Sequence, residues 1–334
     1  MSVVAGAVRG PVRLGFVGLG WIGRKRLDAI ASDSCVEVAA LFDSMPDRLD
    51  AAASVHRSAR RAASVDELVN CGLDGVVIAT PNAAHAQQAL QALAQGVAVF
   101  CQKPLATTAA AAHRVIDAAR AANRLLGVDF CYRHVAGMDE FERRLSAGVL
   151  GEITSIDLTF HNAFGPDKHW CFDRATAGGG CLLDLGVHLI DLALWLQRFP
   201  ALELVSARRF AQGRPAGREA IEDQAYVELR QANGAIVRLA CSWYAQIGCD
   251  ALIEVRVLGT KGGVLWRNVG GSFYDFELLA CRGSQREVLS RPPDEWGSRA
   301  LSNWVHRLAQ DRSFDASALD LGRSADLIGE VYAL

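Results

Sequence analysis

Three closely spaced glycines follow a strand-like run near the start of the chain. Residues 13–17 are mostly apolar, and Gly18, Gly20 and Gly23 come next at the spacing G-x-G-x-x-G, ahead of a helix-like segment at residues 22–32. Gly18 permits a tight turn, Gly20 lets the backbone approach a pyrophosphate, and Gly23 lets the helix pack closely on the strand. Three glycines can also make a simple structural turn, but this strand–turn–helix context predicts a dinucleotide-binding site.

An acidic residue supports the same interpretation. The next strand-like run, residues 36–42, ends at Asp43, about twenty residues after Gly23. A carboxylate there accepts hydrogen bonds from the adenosine ribose hydroxyls and repels a 2′-phosphate, which favours NAD. Ser44 follows instead of an arginine, although Arg48 is close enough in sequence to leave NADP open. The structural alternative for Asp43 is an N-cap of the next helix.

The first half of the chain alternates strand-like and helix-like segments, which predicts βαβ units and an α/β domain with a doubly wound parallel sheet. The expected strands are residues 13–17, 36–42, 75–79, 97–101 and 125–130. The expected helices are residues 22–32, 46–55, 65–71, 83–94 and 108–122.

The second half predicts an α+β domain with a large, mainly antiparallel open sheet, and Asn233-Gly234 is a strong hairpin signal within it. After a helix at residues 138–147, the expected strands are 154–161, 204–211, 224–229, 236–243, 251–258, 263–267 and 273–278. Helices at residues 179–196, 298–310 and 316–332 are expected to cover one face of this sheet. We place the domains at residues 12–132 and 133–334, leaving open whether the C-terminal helix packs back on the first domain.

Composition narrows the classes of function. The net charge of −2 provides no basic surface for nucleic acid or anionic lipid. The longest apolar run, residues 181–196, is interrupted by charged and imidazole side chains, so we expect no membrane span. We interpret the first twelve residues as a loose tail rather than a signal peptide. The nine cysteines contain no C-x-x-C pair, so we expect reduced thiols, no bound metal and a cytoplasmic location.

Three polar residues mark the apolar segment at residues 179–196. Asp184, His188 and Asp191 are spaced i, i+4, i+7, which places them on one face of a helix. A lone histidine there would more often be a satisfied core residue, but buried acids and imidazoles need partners or a function. The aspartate one turn before His188 favours a catalytic pair. We expect Asp191 to be a structural partner of the backbone or of a lysine.

Two loops follow strands of the predicted parallel sheet. Lys103 comes just after the strand at residues 97–101, and the ends of such strands line the ligand crevice. Taken alone, a solvated surface lysine is the commoner outcome. Thr80-Pro81-Asn82 follows the strand at residues 75–79, where cofactor contact and an ordinary helix start are both consistent with the sequence.

Three separated motifs resemble the Gfo/Idh/MocA family of sugar and cyclitol oxidoreductases, and the resemblance covers nearly the whole chain. These motifs are the glycine turn, the segment from Thr80 through Lys103-Pro104-Leu105, and the D-x-x-x-H of Asp184 and His188. The family carries Glu-Lys-Pro at the second motif, whereas this chain has Gln102 before its lysine. An amide still forms hydrogen bonds, but the negative charge is lost.

The resemblance implies a catalytic trio and its chemistry. Lys103, Asp184 and His188 would meet at the nicotinamide in a cleft between the two domains. His188 would accept the proton of a substrate hydroxyl as hydride leaves for the nicotinamide. Asp184 would bind hydroxyls and orient the imidazole, and Lys103 would stabilise the developing alkoxide. Pairing of the open sheet faces, common in the family, implies a homodimer or homotetramer.

The remaining site residues complete the expected cofactor and substrate contacts. For the cofactor, NAD with NADP left open, we expect contacts from Gly18, Gly20, Trp21, Ile22, Gly23, Asp43, Thr80, Pro81, Asn82, His85, Gln102 and Lys103. For a sugar or polyol substrate we expect contacts from Arg133, His169 and Trp170, although a surface loop with one packed tryptophan explains the last two equally well.

Other functions compete with a dehydrogenase. A non-catalytic dinucleotide or sugar sensor shares the fold but would be expected to lose Lys103, Asp184 and His188, which are all present. A metalloenzyme could use Asp184 and His188 with His161 or His169 as ligands. Within the family, an NAD-recycling enzyme that cleaves glycosides is a further alternative.

Overall fold

The computed structural model describes residues 10–334, so the tail expected at the N-terminus lies outside the described residues as far as residue 9. The chain forms two compact units. Unit 1 comprises residues 10–129 with Ser298–Arg323, and unit 2 comprises Phe130–Gly297 with Ser324–Leu334.

Unit 1 contains a six-stranded parallel sheet with the order β3-β2-β1-β4-β5-β6. This is the order of dinucleotide-binding doubly wound sheets, in which ligands lie beyond the carboxyl ends of the strands near the β1/β4 switch point. The predicted α/β fold is therefore confirmed. Its elements in chain order are β1 (Val12–Val17), α1 (Trp21–Ile30), β2 (Val36–Phe42), α2 (Pro46–Val55), β3 (Arg60–Arg61), α3 (Val65–Val69), β4 (Gly75–Ile78), α4 (Asn82–Ala94), β5 (Ala98–Cys101), α5 (Ala109–Ala122) and β6 (Leu126–Val128).

Unit 2 contains a nine-stranded sheet with the order β15-β14-β13-β12-β7-β11-β10-β8-β9. Every neighbouring pair is antiparallel except β7 with β11, so the predicted mainly antiparallel sheet is confirmed. Its elements are α6 (Met138–Ser146), β7 (Ile153–Asn162), α7 (Arg174–Ala177), α8 (Val187–Trp195), β8 (Leu202–Ala211), β9 (Arg214–Pro215), β10 (Gln224–Gln231), β11 (Ile236–Ser242), β12 (Ala251–Gly259), β13 (Gly263–Asn268), β14 (Phe276–Arg282) and β15 (Gln285–Ser290).

Three strands and several boundaries differ from the sequence prediction. The predicted strand at residues 273–278 begins instead at Phe276, and β3, β9 and β15 were not expected. Strand β15 is an edge strand whose first four residues are exposed, and its polar composition gives no alternation of apolar and polar residues. The hairpin at Asn233-Gly234 is present, since β10 and β11 pair on either side of it.

The helix α9 (Arg299–Gln310) does not cover the sheet of unit 2 as predicted. It packs instead in the core of unit 1, where the Trp304 ring lies 5.6 Å from Phe100. Strand glycines make room for it, because a Cβ at Gly75 or Gly127 would lie 2.6 Å from an atom of the Trp304 ring. After a 3-10 turn at Ala316–Leu319, the last helix α10 (Asp320–Ala333) begins in unit 1 and continues into unit 2.

The predicted single helix at residues 179–196 contains a π-helical turn at Leu182–Gly186, followed by α8. The helical stretch Arg174–Trp195 is long and apolar enough to cross a membrane, but its most apolar part is 89% buried within the structure. Because α8 packs on β7 and β11, this stretch has the character of a core helix. All nine cysteines lie in the described part of the chain and are free.

Candidate active site

The three glycines of the turn between β1 and α1 have two different roles: two are required by the fold, and the third leaves open space. Gly18 has φ +89° and a Cβ there would lie 2.6 Å from the Ala79 backbone, while a Cβ at Gly23 would overlap the Gly18 carbonyl oxygen. The fold itself therefore requires these two glycines. A Cβ at Gly20 would instead point into open space, with Arg48 Nη1 the nearest atom at 3.8 Å. Gly20 keeps open a cradle that fits the close approach of a dinucleotide pyrophosphate.

The backbone at the start of α1 is suited to bind an anion. The helix begins at Trp21, and its N-cap, Gly20, supplies no capping side chain. The N–H groups in the first turn of a helix have no carbonyl partner within the helix, and such groups bind phosphate oxygens. In α1 they include the N–H groups of Trp21 and Ile22. Trp21 is itself 58% exposed, and Lys25 Nζ lies 4.6 Å from the centroid of its ring. The turn thus presents N–H groups, an aromatic ring and a cation together.

Asp43 is fixed against this turn. One carboxylate oxygen accepts the Leu19 N–H at 2.6 Å and the other accepts the Met45 N–H at 2.8 Å. The N-cap of α2 is Met45, so Asp43 does not serve as the cap that the sequence left as an alternative. Because each carboxylate oxygen has a second lone pair, Asp43 keeps acceptor capacity for ribose hydroxyls.

The residue before Lys103 belongs to a buried network that explains its departure from glutamate. The Gln102 amide donates a hydrogen bond to the Asp129 carboxylate, and Arg26 Nε donates to the same oxygen at 2.6 Å. Asp129 is 1% exposed, and Arg26 forms an ion pair with it. A glutamate at position 102 would bring a second carboxylate against Asp129, which is costly in a buried site. An amide satisfies Asp129 without adding charge.

His85 joins the two loops that follow β4 and β5. It is buried, and its ring nitrogens lie 2.7 Å from the Pro104 carbonyl oxygen and 2.8 Å from the Thr80 carbonyl oxygen. Burial lowers the pKa of His85, which keeps the ring neutral near pH 7 and able to donate to one carbonyl at a time. This geometry makes His85 a support beneath the Lys103 loop, with both nitrogens directed at backbone. Lys103 itself is half-buried.

Thr80, Pro81 and Asn82 form the connection between β4 and α4. The Thr80 hydroxyl donates to Gln88 at 2.7 Å, and Pro81 is an exposed N-cap without a capping side chain. Asn82 is the first residue of α4. Pro81 and Asn82 therefore lie beyond the carboxyl end of β4, the edge at which ligands bind in such sheets.

A stripe of three polar residues in unit 2, namely Asp184, His188 and Asp191, lies on two kinds of helix. Asp184 lies on the π-helical turn, whereas His188 and Asp191 lie on α8. Turns of this type occur often at functional sites. Asp184 is half-buried, whereas His188 is 6% and Asp191 1% exposed. Asp184 is thus the most accessible member of the stripe.

Aromatic rings surround His188. Its ring centroid lies 4.9 Å from that of Tyr132 and 6.4 Å from those of Phe130 and Phe160. Burial raises the pKa of Tyr132 well above its usual value, so this phenol remains protonated. The imidazole therefore sits in a largely apolar pocket wall, where interactions with charges are stronger than in water.

Arg133 and Asp191 form a buried ion pair. Arg133 Nε donates to Asp191 at 2.7 Å and a second guanidinium nitrogen donates to the other carboxylate oxygen. The guanidinium also lies 5.1 to 5.9 Å from the ring centroids of Phe130, Trp195 and Phe199. The partner of Asp191 is therefore an arginine, not the backbone or the lysine expected from sequence. The guanidinium of Arg133, expected at the substrate, is engaged here within unit 2.

The loop before the helix places the other two expected substrate residues on a 3-10 turn, His169–Phe172. His169 is exposed and Trp170 is half-buried. Among residues 10–334, donor atoms close enough to share one metal ion belong to Asp33, Cys35 and His306. That group includes none of the ligands considered for a metalloenzyme, and His161 Nδ1 instead lies 2.7 Å from the Ser242 hydroxyl.

Comparison with known proteins identifies the family. Residues 12–130 match the model of the oxidoreductase family with an NAD-binding Rossmann fold, and residues 138–265 match the GFO/IDH/MocA C-terminal domain. The chain is 28% identical to D-glucoside 3-dehydrogenase of Escherichia coli (strain K12), over 76% of each protein. It is also 28% identical to an inositol 2-dehydrogenase of Acidothermus cellulolyticus, over 96% of this chain and 92% of that one.

Solved structures share the fold. A levoglucosan dehydrogenase in complex with NADH has a TM-score of 0.82 at 22% identity, covering 97% of each chain. A 3-ketoreductase from Actinomadura kijaniata in complex with NADP and TDP-benzene has a TM-score of 0.83 at 22% identity, covering 97% of this chain and 98% of that one. With both domain models matched in order, the chain belongs to the Gfo/Idh/MocA family of NAD(P)-dependent oxidoreductases.

Proposed function

We propose that this enzyme interconverts a hydroxyl and a ketone on a sugar, a cyclitol or a related derivative. The observation that carries the proposal is the acid–imidazole pair of Asp184 and His188 on the helix of unit 2, in a chain that also has an NAD-binding domain. The family relatives named above act on such compounds. A sensor would need neither group, and both are retained together with Lys103.

Three side chains divide the proposed chemistry. The nicotinamide, when bound, accepts or supplies the hydride. The neutral imidazole of His188 takes the proton of the reacting hydroxyl during oxidation and returns it during reduction. The Lys103 ammonium donates a hydrogen bond to the reacting oxygen and stabilises negative charge on it. The half-buried carboxylate of Asp184 accepts hydrogen bonds from substrate hydroxyls and fixes the orientation of the ring.

A panel of substrates tests the proposal. Aldoses, inositols, amino sugars and sugar acids are offered with NAD and with NADP, and the absorbance of the reduced nicotinamide is followed. At least one compound class should give turnover that His188→Ala lowers roughly 10²-fold or more. Cofactor binding without turnover on any class would indicate a sensor.

The position of Asp43 predicts preference for NAD(H) over NADP(H). Asp43→Ser should narrow the ratio of the two dissociation constants, because it removes the charge that repels a 2′-phosphate. It should also weaken both affinities, since Asp43 holds the Leu19 N–H. Asp47→Ser, an exposed aspartate in the first turn of α2, is the control and should leave the ratio unchanged. Fluorescence titration measures both constants, and equal or tighter binding of NADP(H) to the unmodified protein would contradict the assignment.

We also propose a homodimer or a dimer of dimers in the cytoplasm. Exposed apolar side chains, including Tyr226, Leu252 and Leu258, lie on β10 and β12 among charged residues such as the Arg256–Glu254 pair. A second copy of the sheet would cover such a mixed surface by a two-fold arrangement. Light scattering at micromolar concentration should give a multiple of 35.9 kDa, and a monomer mass would refute the assembly. Nine free cysteines agree with a reducing compartment.

A further inference from the structure

A tryptophan outside the family motifs contacts the acid of the proposed catalytic pair. Trp243 directly follows β11, and its indole Nε1 donates a hydrogen bond to Asp184 Oδ2 at 3.2 Å. The side chain of Trp243 is buried. The two residues are 59 positions apart in sequence, so no local motif records the contact.

The indole is held in place from several directions. The Trp243 backbone N–H donates to the Asp223 carbonyl at 2.7 Å, and the Phe172 ring meets the indole edge-on with centroids 5.9 Å apart. The next residue, Tyr244, has φ +61°, a conformation that is unfavourable for a bulky side chain and persists only where the surroundings fix it. A Cβ at Gly165 would overlap the Tyr244 ring, so that glycine leaves the space the ring occupies.

We propose that Trp243 is a positioning residue for the reaction, and that its N–H orients the Asp184 carboxylate toward the substrate. An indole N–H only donates and carries no charge at any ordinary pH. It can therefore fix one carboxylate oxygen without neutralising the group, leaving the acceptor capacity of Asp184 for substrate hydroxyls. This role rests on the proposed function, since it assumes that Asp184 meets the substrate.

The test is Trp243→Phe, which removes the N–H and keeps an aromatic ring. Loss of a hydrogen bond to a charged group corresponds to a fall of roughly ten- to a hundred-fold in kcat/KM. We expect most of the fall in kcat rather than in KM for the sugar, because orientation matters most in the transition state. Cofactor affinity should stay unchanged.

Trp266→Phe provides a matched control. Trp266 lies on β13 of the same sheet, is fully buried, and its Nε1 makes no hydrogen bond with the described residues. The substitution makes the same chemical change without removing a contact to Asp184, and kcat should remain within about two-fold of the unmodified enzyme. Equal values of kcat for the two variants would overturn the positioning role.

A double-mutant cycle with Asp184→Asn separates this proposal from the proposed function. If Trp243 acts through Asp184, Trp243→Phe should add little to the defect of Asp184→Asn. Full additivity of the two losses would overturn the positioning role. If Asp184→Asn alone leaves kcat intact, the proposed function fails at its acid and Trp243 has nothing to position.

Discussion

Replacing Lys103 or His188 by alanine is expected to lower kcat roughly 10²-fold or more while cofactor affinity stays nearly unchanged. Lys103→Ala removes the proposed donor to the reacting oxygen, and His188→Ala removes the proposed base. Neither side chain belongs to the glycine turn or the Asp43 contacts that are expected to hold the dinucleotide. Steady-state kinetics on the best substrate of the panel, with fluorescence titration of the cofactor, measures both effects.

Additivity provides the sharper test of this pair. If the two groups act on one oxygen, kcat of the Lys103→Ala/His188→Ala double variant should fall by far less than the product of the two single-variant fold losses. Lys261→Ala, an exposed lysine in the turn between β12 and β13, is the control and should retain full activity. Single variants that keep kcat within about three-fold would remove these residues from the mechanism.

Breaking the Arg133–Asp191 pair should destabilise the protein by about 3–5 kcal/mol, because either substitution leaves one charge buried without its partner. Asp191→Leu, followed by urea denaturation, measures the loss as a shift in midpoint. The Arg133→Met/Asp191→Leu double variant should recover most of the stability, since the neighbouring Phe130, Trp195 and Phe199 rings favour an apolar replacement.

An exposed ion pair on the sheet of unit 2 is the control for the buried Arg133–Asp191 pair. Arg238 and Asp157 pair at 2.7 Å with substantially exposed side chains, and Asp157→Leu should cost less than about 1 kcal/mol. If Asp191→Leu costs no more than Asp157→Leu, the buried pair has no special structural role. Activity of the double variant would further show that Arg133 is dispensable at the substrate.

Local patterns predicted much of unit 1. The glycine spacing, Asp43 and the alternation of strands and helices are all contained in short segments. The structure forms one parallel sheet from these strands, with the glycine turn after β1 and Asp43 after β2. The π-helical turn at Leu182–Gly186 escaped prediction, because polar residues four apart fit an α-helix as well. The edge strand β15 was not predicted, because an exposed strand does not need alternating apolar and polar residues.

Long-range packing was less accessible from sequence. The apolar face of α9 was readable, but that face does not specify which sheet it covers, and α9 was assigned to the wrong one. The network of Arg26, Gln102 and Asp129 and the Trp243–Asp184 contact join residues far apart in the chain. Glycines within strands, at Gly75 and Gly127, were the available signal for α9, and that signal needed a partner that the sequence alone did not identify.

The segment Ser298–Arg323 belongs to unit 1 although it follows most of unit 2 in the chain. This order affects how the protein folds during synthesis and whether its units can be produced separately. Trp304 fills space left by Gly75 and Gly127, so the nucleotide-binding unit lacks part of its core until some three hundred residues have been translated. While the nascent chain emerges, the apolar surface of β1 and β5 that α9 later covers stays open to chaperones or to misassembly. A fragment ending at Asp129 would keep that surface exposed permanently. An excised nucleotide-binding domain therefore needs the segment Ser298–Arg323, linked or added in trans, to remain in solution.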